Sequence, residues 1–457
     1  MIAGDPTQLS VAQMSAEMAA RRLSPVDLVE GFLKRIEAKE PKLQAFVAVY
    51  ADDAHMAAQA ADRAIRSGHA VGPLHGVPIA LKDLIEMEGR VVTGGCGAWR
   101  MRMATRTAPL AQHLIAQGMI VLGKTHTVQF AMGGWGTNTQ MGTPWNPWDM
   151  TVARTPGGSS SGSGVAVAAG LAPWAIGTDT GGSVRLPACW CGLTGLKTTV
   201  GRISTQGILP LSTTFDTAGP MAHSVEDAAL LYRAMLGPTA PDMDALLPGF
   251  RRGVRGLRLA RLPDNERTAS TPEVLAAYDA SLKLLESLGA EIVDLKLPFA
   301  LADVVRVIGR IISAEAYTML RELADDETIP LDEDVRPRIT AGRKVSAQAY
   351  LEALAQREAM KAQFAQAMDG IDALLTPTIG TAAIALSEVD QNGTPAHYTR
   401  FVNLLDLCAL ALPNGFTAGG LPLSLQIVCR GFDEAMAMRI GFAYQQATDW
   451  HMRRPAL

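Results

Sequence analysis

Residues 157–164 read Gly-Gly-Ser-Ser-Ser-Gly-Ser-Gly, and they run directly into Val-Ala-Val-Ala-Ala-Gly-Leu-Ala-Pro-Trp-Ala-Ile. A glycine–serine run alone is a flexible linker. A linker is not followed by an unbroken run of small apolar residues. Such residues suit an element enclosed on all sides, so the chain must build layers around a small-residue helix at 162–170 and a short strand at 172–177. A loop of this kind entering a buried helix presents unpaired backbone N–H groups and hydroxyls together, which suits a functional loop. It is not a phosphate loop, because no lysine follows the glycines.

The segments on either side fit a layered α/β chain. Ser24-Pro25-Val26-Asp27 is a helix start, with Ser as N-cap, Pro at the first helical position and an acid in the first turn. An Ala-rich helix is expected at about 52–67, and helix again at 107–117. Ser224-Val-Glu-Asp227 opens another, and further helices are expected at about 273–288 and 346–368. Short apolar runs at 77–81, 119–122, 256–262, 290–295 and 371–376 read as buried strands. The Pro- and Gly-rich stretch 237–256 reads as a loop. Strands alternating with helices predict α/β layers over a mostly buried sheet.

Two further segments are unusual. In Gly177-Thr-Asp-Thr-Gly-Gly-Ser-Val-Arg-Leu-Pro187, two glycines precede a serine. They allow close backbone approach and aim N–H groups at one point, as an acyl-transfer oxyanion requires. A plain turn is the simpler reading. Asp179 and Arg185 flank the serine with opposite charges and are expected to pair and fix the loop. In Gly76-Val-Pro-Ile-Ala-Leu-Lys82-Asp83, a lysine ends an apolar strand. It either snorkels to the surface or is a buried base with a lowered pKa.

Composition excludes several classes. Forty-one basic against 45 acidic residues give a net charge of −4, without the basic face that nucleic acid requires. The longest apolar stretch is about 12 residues, short of the roughly 20 that cross a bilayer. The N-terminus does not read as a secretory signal. Five scattered cysteines, Cys96, Cys189, Cys191, Cys408 and Cys429, predict reduced structural thiols and a cytoplasmic protein, with no zinc-like spacing. Neither a metal nor another cofactor is expected.

Residues 158–162 also spell G-x-S-x-G, the elbow of α/β-hydrolases, centred on Ser160. That reading requires a histidine partner, and His223, His397 and His451 are available.

Taken together, the G-V-P-x-x-x-K-D strand end, the G-G-S-S-x-G-S loop and the G-T-D-T-G-G-S-x-R-x-P loop resemble the amidase signature family, the Ser-cisSer-Lys amidases. The resemblance continues through Cys191-Gly-Leu-Thr-Gly-Leu-Lys197, Phe215-Asp-Thr-Ala-Gly-Pro-Met221 and Gly420-Leu-Pro-Leu-Ser-Leu-Gln-Ile-Val428. It is weakest between about 240 and 370. It implies a single α/β/α domain over residues 1–457 around a large mixed sheet, with a helical N-terminal segment to about 70. It implies Ser183 as nucleophile, Ser159 as bridging serine and Lys82 as base. The backbone N–H groups of Thr180, Gly181 and Gly182 would form the oxyanion hole, with Ser160, Asp179 and Arg185 in support. Ala131, Met132, Gly133 and Trp135 align with the acyl pocket. Gln129, Ser161 and Leu186 depart from the common pattern, and the last removes the place where some relatives carry a carboxylate-gripping arginine.

The expected function is hydrolysis of a small-molecule amide, with an apolar or aryl group preferred. Alternatives are a glutamine-hydrolysing subunit of a tRNA-dependent amidotransferase, a urea-type hydrolase, or an idle scaffold on the same fold. No nucleic-acid or membrane partner is expected for the chain alone, and a homodimer is the expected assembly if there is one.

Overall fold

In the computed structural model, which describes residues 5–237 and 249–457, the apolar runs become strands of one sheet. In chain order these are β1 (Phe46–Val49), β2 (Pro78–Lys82), β3 (Ile120–Thr125), β4 (Trp174–Asp179), β5 (Thr194–Lys197), β6 (Thr217–Ala222), β7 (Arg258–Arg261), β8 (Glu291–Asp294), β9 (Ala373–Pro377), β10 (Cys408–Phe416) and β11 (Pro422–Cys429). Their spatial order is β1-β3-β2-β4-β6-β5-β10-β11-β9-β7-β8. Strand β2 runs parallel to both β3 and β4, and β7 runs parallel to β8 and β9; the remaining neighbours are antiparallel. The sheet is mixed, as expected. Every residue of β2 and β4 is buried, which is why these strands read as continuous apolar runs rather than alternating ones.

The helix starts follow their caps. Ser24 and Ser224 each accept from the backbone N–H three residues on, both at 3.0 Å. The helix Ser161–Ala168 is buried at all eight positions. A Cβ on Gly162 would collide with the Ala45 carbonyl and the His126 backbone nitrogen, so only glycine lets this helix sit so close to its neighbours.

One expectation changes. The N-terminal segment is not wholly helical: Phe46–Val49 forms an edge strand on β3, between the helices Pro25–Leu43 and Ala51–Ser67. Four residues are too few to break a helical pattern visibly. The stretch expected as loop at 237–256 falls at 238–248 outside the described residues. A 24-residue helix, Leu301–Ala324, packs against Ala347–Ala367 and Arg400–Leu404. No described helix is long and apolar enough to cross a membrane.

Candidate active site

Because β2 and β4 are parallel neighbours, their C-terminal ends lie side by side. Lys82 ends one strand, and Thr178 and Asp179 end the other. Lys82 Nζ donates to Ser159 Oγ and to Thr178 Oγ1, both at 2.8 Å, and the side chain is fully buried. Burial disfavours the ammonium and pushes the pKa down to about 7, against an opposing pull from Asp216 and Asp179. The lysine does not snorkel.

Ser159 follows Gly158 through a cis peptide bond. The next residue, Ser160, braces the loop against β4: its hydroxyl donates to the Thr178 carbonyl and accepts from the Thr178 N–H, each at 3.2 Å. Its own N–H donates to the Ser183 carbonyl at 3.3 Å, which ties the two serine loops together. None of His223, His397 and His451 lines the cleft over Ser183. The elbow reading centred on Ser160 is therefore corrected: its hydroxyl is spent on the Thr178 backbone, and among the described residues no histidine hydrogen-bonds to it.

The loop after β4 is built around one ion pair. Arg185 Nε donates to Asp179 Oδ2 at 3.0 Å, and Nη2 donates to Oδ1 at 2.9 Å. Arg185 also reaches the Thr399 carbonyl, Gln426 Oε1 and Asn403 Oδ1. Burial is the largest influence on Asp179 and opposes its charge, but Arg185, Lys197 and Asn403 together outweigh it and hold the carboxyl below the usual range. Asp179 accepts from the Val184 N–H at 3.1 Å and from the Gly182 N–H at 2.7 Å. The Gly182 N–H is thus committed to the loop's own carboxylate and does not point outward as the three-donor expectation required. Gly182 itself has φ +134°, and a side chain there would strike the Thr399 hydroxyl. Among the described residues, nothing accepts from the N–H groups of Gly181 and Ser183, and the Ser183 hydroxyl makes no hydrogen bond. Thr180 turns its hydroxyl to Asp216 Oδ1 at 2.5 Å. Asp216 also accepts from Leu211 and Ser212, and burial raises its pKa to about 6.

Ser183 is 7% exposed and opens onto a cleft of about 360 Å³. Ala131, Met132, Gly133 and Trp135 all line it, as do Thr180 and Gly181. Leu186, Leu211, Val305 and Ile312 add apolar wall. Trp135 stacks on Trp190 with ring centroids 5.7 Å apart. Phe130 and Ala131 turn the chain there with φ of 49° and 59°. A wider groove of about 970 Å³ beside the helices Pro25–Leu43 and Ala51–Ser67 contains none of these residues. The described residues hold no cluster of His, Cys, Asp or Glu suited to a metal, and all five cysteines are buried and free.

Sequence reasoning missed Thr178, Asp216, Thr399, Asn403 and Gln426, which hold the two loops, and Arg338 and Arg400, which line the cleft. Thr178, Asp216 and Gln426 lay inside motifs already noted; the other four did not.

Comparison with known proteins gives the family. The family model described as Amidase matches residues 27–438. A glutamyl-tRNA(Gln) amidotransferase subunit from Ralstonia nicotianae is 37% identical over 500 residues, covering 98% of this chain and 100% of that protein. A solved structure from work on a vestigial protein complex and the evolutionary origins of an s-triazine catabolic enzyme superposes with a TM-score of 0.89 at 29% identity, covering 98% of this chain and 100% of that one. The peptide amidase from Stenotrophomonas maltophilia superposes with a TM-score of 0.83 at 28% identity, covering 98% of both chains. With its model matched across nine-tenths of the sequence, a relative aligned end to end and an amidase fold throughout, the chain belongs to the amidase signature family.

Proposed function

We propose that this protein hydrolyses a carboxylic amide through an acyl-enzyme on Ser183. The observation that carries the reading is the 2.8 Å hydrogen bond from a fully buried Lys82 to Ser159, with the lysine pKa near 7. A free lysine near 10.4 is almost wholly protonated at neutral pH and takes no proton from a serine. A lysine near 7 does.

On this reading the reaction has two halves. Ser183 Oγ turns onto Ser159 and attacks the amide carbon while its proton passes to Ser159 Oγ. The Ser159 proton passes to Lys82 Nζ. The carbonyl oxygen becomes an oxyanion and accepts from the N–H groups of Gly181 and Ser183, with Thr180 alongside. When the intermediate collapses, the C–N bond breaks and the proton returns along the same path to the leaving amine. Water then attacks the ester, delivers its proton to the relay and releases the acid. Thr178 holds Lys82 in place, and the Asp179–Arg185 pair holds the loop. Met132, Trp135 and Leu186 bear on the acyl portion of the substrate.

Incubation with a sulfonyl fluoride, followed by peptide mass mapping, tests the assignment. The label is expected on the peptide that contains Ser183, with amidase activity lost in proportion. Full labelling at another residue, with activity intact, removes Ser183 from the mechanism.

A second reading is favoured by the 37% identity to the amidotransferase protein of Ralstonia nicotianae. On that reading, the ammonia released from glutamine is used by a partner enzyme. Ammonia release by the purified chain alone separates the two readings. A stand-alone amidase turns over without a partner, whereas an amidotransferase component hydrolyses glutamine at useful rates only in its complex.

A further inference from the structure

The cleft over Ser183 is lined by two cations and, among the described residues, by no carboxylate. Arg338 is tethered: Nη1 donates to the Met132 carbonyl and Nη2 to Gln391 Oε1, both at 2.9 Å. Arg400 is not. It opens the short helix Arg400–Leu404, and the residue before it, Thr399, donates its hydroxyl to the Gly181 carbonyl at 2.7 Å. That bond lays the Arg400 stem along the oxyanion loop, with Cγ 3.5 Å and Nε 3.8 Å from where a Cβ on Gly181 would stand. The guanidinium has no hydrogen bond or ion pair among the described residues. Burial, and after it repulsion from Arg338, lowers its pKa to about 10, so it is charged at neutral pH.

The guanidinium is part-buried, and its nitrogens keep access to the cleft without a protein acceptor, so all five N–H donors are open to a ligand's oxygen atoms. A guanidinium fork matches a carboxylate with two parallel hydrogen bonds. We infer that Arg400, with Arg338 beside it, is the seat for a carboxylate on the substrate, and that the preferred substrate is the ω-amide of a short dicarboxylic acid with no ammonium group. The chain is short because Arg400 lies against Gly181, two residues before the nucleophile. The ammonium is excluded because it would meet two like charges and, among the described residues lining the cleft, no acid. This rests on the amide-hydrolase reading of Ser183. It replaces the expectation of an apolar or aryl amide without a carboxylate clamp, because the arginines arrive from positions 338 and 400 rather than from the nucleophile loop.

Three amides form the test. Glutaramate differs from pentanamide by the carboxylate alone and from L-glutamine by the absence of the α-ammonium alone. The kcat/KM for glutaramate is expected to exceed that for pentanamide by about 100-fold and that for L-glutamine by at least about 10-fold. In Arg400→Met, the glutaramate-to-pentanamide ratio should fall at least about 10-fold, with part of it kept in Arg400→Lys. Calorimetric titration of glutarate reads the same seat without turnover, with binding to the wild type and loss in Arg400→Met. Glutarate binding that depends on Arg400, with none of the three amides cleaved, supports the seat and sinks only the hydrolase reading. Equal rates on glutaramate and pentanamide, with no glutarate binding, overturn the seat and leave the hydrolase reading intact.

Discussion

Arg185 and Asp179 meet through two parallel hydrogen bonds, at 3.0 and 2.9 Å, with neither side chain exposed to solvent. The pair is also wired outward, since Arg185 reaches Thr399, Asn403 and Gln426, on segments more than 200 residues away. Removing the guanidinium leaves a buried carboxylate uncompensated. Arg185→Met is expected to cost about 3–5 kcal/mol of stability, measured by urea unfolding, and to remove amidase activity even where the chain still folds. Arg185→Lys should recover little, because an ammonium cannot make the forked contact. A loss below about 1 kcal/mol would show that the pair does not hold the loop.

Ser183→Ala should lower kcat/KM at least about 1,000-fold, because no neighbouring group forms the acyl-enzyme. Its thermal unfolding should match the wild type. A chelator should leave the wild-type rate unchanged; activity lost to chelator and restored by zinc would argue against the serine mechanism.

The pH dependence follows from Lys82. The base must be neutral, so kcat/KM should fall as pH drops through about 7. That limb should vanish in Lys82→Ala along with most of the rate, and Lys82→Arg should rescue nothing. A histidine-driven mechanism would instead lose the limb in His223, His397 or His451 variants.

The same residue predicts a stability signature. Between about pH 7 and 10.5, the unfolded chain keeps a proton on Lys82 that the folded chain lacks. Stability should therefore rise with pH across that window, and the penalty for burying the lysine is fullest at pH 7 and below. In Lys82→Met, this contribution to the slope should disappear, as read by urea unfolding at pH 7, 8.5 and 10.

Ala131 stands in the left-handed region beside the cleft, with φ 59°. Ala131→Gly should stabilise the fold by about 1 kcal/mol. An unchanged or lower unfolding midpoint would show that the methyl group's packing outweighs the backbone term.

What was legible in the sequence was local. Lys82, Ser159 and Ser183 stand in segments whose composition is itself unusual, so they could be named as candidates, and the fold brings their segments together. Helices with a serine cap, at Ser24 and Ser224, announced themselves. The helix Leu301–Ala324 begins after Ala300 without a side-chain cap, and went unread. Strands β5 and β6 are short and interrupted by glycine or proline, which hides their periodicity. Arg338 and Arg400 carry no local mark at all. They matter because the fold brings them to a loop 150 and more residues upstream, and only tertiary structure records that.

The enclosure of Ser161–Ala168 on every side has a consequence for how such proteins diversify. Lys82, Ser159 and Ser183 all lie between residues 82 and 183, in a part of the molecule where even a methyl group on Gly162 finds no room. Most of what faces the far side of the cleft is drawn from residues 305–400. The walls of the cleft are therefore shared between two stretches of one gene, and only the first carries the serines and the lysine. A chimera that keeps the first stretch and exchanges the second for a relative's should keep its reaction and change its diet.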